Sequence, residues 1–234
     1  MAYTDPSPVD GRTGWGEGPV RRAYWPLAGA AAGLLGGVAT LALDLHLGDL
    51  DNDTDTMTID QVGEVSATTA RLSFLAGYLA VALLLVTAAA WRRHVEPRVP
   101  GSTAARVVPA GLTASAGALM LGYGWKGAMA IYGDGGPEDT AFDRQGQYVY
   151  FMLNDFGSFI GWLGVLIAAG AVTWMSLRER TISPWLGWLS ALLTALPAIG
   201  FLVMSVPGLP GITMPAWMLI TFLGLTYGKS TITR

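Results

Sequence analysis

RLSFLAGYLAVALLLVTAAAW, residues 71–91, runs from an arginine to a tryptophan with no other charge, and Arg92 and Arg93 close it at once. Its apolar residues fill the whole circumference of a helix instead of one stripe, so such a helix expects apolar surroundings on every side. About 20 residues of this kind match the ~30 Å hydrocarbon layer of a bilayer. Similar blocks recur at roughly Tyr24–Leu45, Val107–Tyr132, Tyr148–Leu177, Trp185–Val206 and Ile212–Tyr227, the last being the shortest. The expected fold class is therefore all-α, a polytopic transmembrane helix bundle of about six spans.

Composition points the same way. Of 234 residues, 52% are hydrophobic and 13% charged, where soluble domains carry about 25% charged residues. A soluble core of this size could not absorb so much apolar surface, and the spans leave no length for a soluble catalytic domain. The absence of cysteine excludes disulfides, thiolate metal sites and cysteine nucleophiles. The polar, Gly- and Pro-containing residues 1–23 are expected to form a disordered cytoplasmic tail before an uncleaved first helix. Residues 24–228 make up the membrane domain, and 229–234 a second short cytoplasmic tail.

Cations give the bundle a direction. Arg12, Arg21 and Arg22 precede span one; Arg92, Arg93, Arg98 and Arg106 separate spans two and three; Arg178 and Arg180 separate four and five; Lys229 and Arg234 follow six. With six crossings these segments share one side, which the positive-inside rule assigns to the cytoplasm. The long connections 48–70 and 133–147 are acidic, with Asp134, Glu138, Asp139 and Asp143 accompanied in the second only by Arg144. They face outward, and both chain ends face inward. The expected location is a plasma membrane, crossed several times. Aromatic residues such as Trp25, Trp91, Tyr132 and Tyr227 mark the span ends.

Glycines suggest how helices approach. Gly29, Gly33 and Gly37 recur at four-residue intervals in span one, and Gly157 and Gly161 repeat the device in span four. Such bare patches let backbones pack closely in lipid, within the chain or against a homo-oligomeric copy or a membrane protein partner. Pro197 inside span five should kink that helix unless neighbours compensate.

Two charges lie within apolar segments: Lys126 in GYGWKGAM and Asp155 in FMLNDFGSF. Spans three and four form an antiparallel hairpin, so both reach a similar depth, and pairing is the economical arrangement. Asn154, Tyr123 and Ser158 could complete a polar pocket open to the outside. Asp44 and His46 sit at the same outer level, and His46 is the residue type that carries protons near neutral pH. The chain's second histidine, His94, lies on the opposite side, which disfavours a bis-histidine haem.

The loop DLDNDTDTMTID sets Asp49, Asp51, Asp53 and Asp55 at alternate positions, with Asp60 eleven residues after the first. This echoes the oxygen ligands of a calcium loop, although Thr54 stands where that loop needs glycine and Asp60 replaces the bidentate glutamate. The competing reading is an outward loop that is simply acidic and hydrated. Otherwise no cofactor is implied. No phosphate loop, zinc helix, nucleophile elbow or nucleic-acid-binding stripe is present.

SPWLGWLSALLTALPAIGFLVMSVPGLPGITMPAWMLITFLGL, residues 183–225, resembles the closing hairpin of uncharacterised six-helix membrane proteins of actinobacterial type, through Ser183-Pro184-Trp185, a Gly and Pro turn, and Pro215-Ala216-Trp217. The resemblance implies the fold and a location in the bacterial cytoplasmic (plasma) membrane, but no activity. The function expected is that of a noncatalytic accessory, scaffold or sensor subunit. The alternative is a small transporter or channel with an outward site around Lys126 and Asp155. An intramembrane enzyme is disfavoured because no nucleophile–base or metal set is visible.

Overall fold

A computed structural model describes residues 24–46, 58–228 and 230–233. The two tails, apart from 230–233, and the aspartates Asp49, Asp51, Asp53 and Asp55 fall outside the described residues. Within them the chain is helical and contains no strand. Five helical stretches are long and apolar enough to cross a membrane, and one more apolar helix, Pro26–Ala42, is shorter.

The shorter one consists of α1 (Pro26–Gly37) and a π-helical turn, Val38–Ala42. At ~1.5 Å per residue it spans about 25 Å. α2 (Ala67–His94) and α3 (Thr103–Tyr132) begin ahead of their apolar blocks because polar caps start them: Ser66 accepts from the Thr69 amide and Ser102 from the Ala105 amide. Asp143 likewise caps the Gly146 amide and starts α4 (Arg144–Ile160).

Gly161 and Trp162 interrupt what reads in sequence as one span, and α5 (Leu163–Leu177) continues it. The break frees the amide of Val165, which donates to Ser115 Oγ at 2.9 Å. α6 (Pro184–Met204) keeps Pro197 inside the helix and ends where Ser205 turns left-handed, at φ 55°. α7 (Leu209–Tyr227) starts with Pro210 in its first turn, so that proline belongs to the helix rather than to the preceding turn.

α3 sits at the centre, packed on α2, α4 and α5; α1 lies between α2 and α7; α6 lies outermost against α5 and α7. The interior combines small residues at helix contacts, among them Ala32, Ala39, Ala80, Ala116, Ala168 and Ala169, with large buried side chains such as Trp91, Trp162, Trp217 and Phe222. Many large apolar residues also point outward, including Leu75 and Leu79 on α2 and Leu196, Ile199, Leu202 and Val203 on α6. Small residues at helix contacts, with large apolar side chains left on the outside, suit helices surrounded by lipid.

The glycine stripe of α1 faces α7. A Cβ at Gly29 would meet the Phe222 ring at 2.5 Å, one at Gly33 would meet Leu219 N and Pro215 O at 2.6 Å, and Gly37 lies against Pro215. Gly157 and Gly161 face α3, against Trp125 and Leu119. At the end that carries Arg92, Arg93 and Arg98, Trp25 stacks on His94, and Arg98 donates to the carbonyl of Ile232 in the short C-terminal 3-10 turn, Thr231–Thr233.

Candidate functional site

The π-helical turn creates the site. In a continued α-helix the Leu43 amide would bond to the carbonyl of Ala39; here it reaches back to Val38 O at 2.9 Å. Ala39 O is thereby released from the helix ladder. Two side chains fill the opening: Ser73 Oγ from α2 and Lys126 Nζ from α3, each donating at 2.8 Å.

Lys126 uses its other two hydrogens on the same strand of chain, at Leu43 O (3.4 Å) and Asp44 Oδ1 (3.3 Å). Its side chain is wholly buried and that of Asp44 is 27% exposed. An ammonium group at the C-terminal end of a helix also meets the negative end of the helix dipole. Lys126 therefore closes the end of the short first span and neutralises the carboxylate beside it.

One helical turn towards the opposite end, Trp162 Nε1 donates to Thr40 Oγ1 at 3.2 Å, and Thr40 pairs with the Tyr123 hydroxyl at 2.8 Å. Either hydroxyl can be the donor in that pair, and Tyr123 also lies 3.4 Å from Gly36 O, to which it can donate. Gly77 makes room for the Tyr123 ring and Gly36 for the indole of Trp162. The break between α4 and α5 is what delivers this indole to span one.

Asn154 and Ser158 occupy the buried face of α4, and neither has a hydrogen-bond partner among the described residues. Their level follows from the antiparallel register with α3. Gly161 meets Leu119, Gly157 meets Gly122 and Trp125, and Phe151 shares an apolar cluster with Met129. Asn154 is thus level with Lys126, and Ser158 with Gly122 and Tyr123. A buried amide without partners costs about 1–3 kcal/mol or more of lost solvation.

From the sequence, the partner of Lys126 was expected across the hairpin at Asp155. Among the described side chains, the carboxylate bonded to it is Asp44 of span one. Asp155 lies in α4, and its side chain is outside the described residues. His46, with Asp44, Glu64, Ser66 and Thr69, lines a cleft of about 210 Å³ that opens at the acidic end. Asp60 is found in a 3-10 turn, Ile59–Glu64. Among the described residues no three His, Cys, Asp or Glu side chains converge as a metal ion would require.

Thr40, Ser73, Trp162 and the carbonyl of Ala39 belong to the site but carried no signal strong enough to single them out. A tryptophan in mid-span, whose N–H needs an acceptor, was the available clue.

The second acidic loop is pinned separately. Arg144 grips Asp134 with two hydrogen bonds of 2.7 Å and also donates to Gln147. These bonds hold the Asp134 carboxyl below its usual range. The contribution is complete above the ordinary aspartate pKa of about 3.9 and is lost as pH falls through the lowered value. Hydrogen exchange of residues 133–143 is expected to accelerate on acidification below that point, and Asp134→Asn to show the faster exchange already at neutral pH.

No family model, curated protein or solved structure matches the chain.

Proposed function

We propose that the chain is a noncatalytic integral membrane protein of the bacterial cytoplasmic membrane, an accessory, scaffold or sensor subunit with six spans and both ends in the cytoplasm. The observation that carries this reading is the state of Lys126. All three of its hydrogens are committed to acceptors within the bundle, as befits a strut and not a group that waits for a substrate. The outward acidic loops and the actinobacterial-type closing hairpin are consistent with a surface-exposed subunit in that membrane.

The transporter alternative rests on a different observation, the unpartnered Asn154 and Ser158 at the level of the lysine. The two readings separate in one variant. For a scaffold, Asn154→Leu removes an unsatisfied amide and is expected to stabilise the protein by about 1 kcal/mol. That corresponds to a rise in Tm of about 2–4 °C for a chain of this size. Chain extracted in mild detergent should migrate above its 24.7 kDa monomer mass, with a partner or a second copy. A strict monomer that passes ions or small polar solutes in proteoliposomes, and loses that flux in Asn154→Leu, would overturn the proposal.

A further inference from the structure

Between α2 and α3, at the acidic end, lies a cleft of about 540 Å³ lined by Arg71, Phe74, Gly127, Ala128, Ile131 and Pro137, among others. Its volume is within the ~300–1,000 Å³ of small-molecule sites. The floor is low because glycines supply it. A Cβ at Gly127 would meet the Phe74 ring at 3.0 Å, and one at Gly124 the Tyr78 hydroxyl at 3.2 Å. Pro137 roofs the cleft from a loop held down by Arg144–Asp134 and by the Glu138 amide on Ile131 O.

Three cations stand at this end of the described chain. Lys126 and Arg144 are each bonded to a carboxylate. Arg71 is exposed and has no such partner among the described residues. It stands at the mouth of an apolar cleft whose other walls lie on membrane-spanning helices. A guanidinium at headgroup depth above an apolar slot matches one molecule of the bilayer, with phosphate on the arginine and an acyl chain on Phe74, Ala128 and Ile131.

We propose that the cleft between α2 and α3 is a specific site for one anionic glycerophospholipid of the outer leaflet, with Arg71 bound to its phosphate headgroup. This rests on the membrane placement and orientation given above but not on the scaffold role. A second copy of the chain would need to place a helix in the slot, and a soluble anion would leave the apolar walls uncovered. Asp134, Glu138, Asp139 and Asp143 of the loop that holds Pro137 offer anionic headgroups no second cation, because Arg144 is already bonded to Asp134, so binding is expected at a single saturable position.

The test uses the full chain, delipidated in detergent and titrated with phosphatidylglycerol or phosphatidylcholine, with bound lipid counted by native mass spectrometry. One phosphatidylglycerol should bind saturably and be preferred over phosphatidylcholine. Arg71→Gln should cut that preference about fivefold, the size expected of one basic residue at a lipid surface, and Arg71→Lys should keep most of it. Ala128→Phe should block both lipids; if it fails to fold, Ile131→Trp on the exposed rim serves instead. Equal retention of both lipids, a preference unchanged in Arg71→Gln, or undiminished binding in the filled variant would each overturn the proposal. Loss of the native mass shift expected of an assembly, with lipid binding intact, would count against the scaffold role alone.

Discussion

Lys126→Met is expected to destabilise the bundle by about 3–5 kcal/mol, because it leaves a carboxylate and released carbonyls without their cation. Ala39 O would keep Ser73, but Leu43 O and Asp44 Oδ1 would lose the donor they have. Asp44→Asn alone should cost less, since Asp44 is partly exposed and the amide can still accept from the ammonium. The double variant Lys126→Met with Asp44→Asn should recover part of the single loss. A double-mutant cycle read by thermal unfolding in detergent should give a coupling of at least about 1 kcal/mol between these two positions. Additivity there would show that the ion pair is incidental to the fold.

Gly33→Leu should have an effect as large by a different mechanism. The new Cβ would lie 2.6 Å from Leu219 N and from Pro215 O, both of them backbone atoms that cannot rotate aside. α1 and α7 would have to separate along their whole contact. A loss beyond about 4 kcal/mol is expected, of the kind seen when a core is overpacked against backbone. The readout is failure to yield a monodisperse peak after extraction. The control is Gly117→Ala on α3, where a Cβ meets nothing within 4 Å; it should be neutral or stabilise by about 0.5–1 kcal/mol. Equal damage from both variants would remove the close-packing explanation.

Position along the helix axes was legible in the sequence. Apolar blocks placed the helices to within a few residues, and the caps Ser66, Ser102 and Asp143 account for most of the discrepancy. The level of Lys126, Asn154 and Asp44 near one end also followed from spacing alone. Direction around each helix axis was not legible. Each residue advances a helix by about 100°, so a charge known only by its depth can face any neighbour. The contact of Lys126 with Asp44 of span one was not singled out by depth. That contact depends on a released carbonyl at Ala39, and no residue type in VATLA announces a π-turn. The interruption at Gly161 and Trp162 was concealed for a similar reason: an apolar run hides a change of helix axis as long as both halves stay apolar.

The π-turn and the buried lysine depend on each other. A π-turn arises when a helix accommodates one extra residue without losing its register on either side. Deleting one residue from 39–42 would turn the bond from the Leu43 amide to Val38 O into an ordinary α-helical one, four residues back, and close the opening that receives Lys126. The ammonium would then be a buried charge without its best acceptor. Insertion and lysine therefore make sense only together, and a related chain with an apolar residue in place of Lys126 should have a first span one residue shorter.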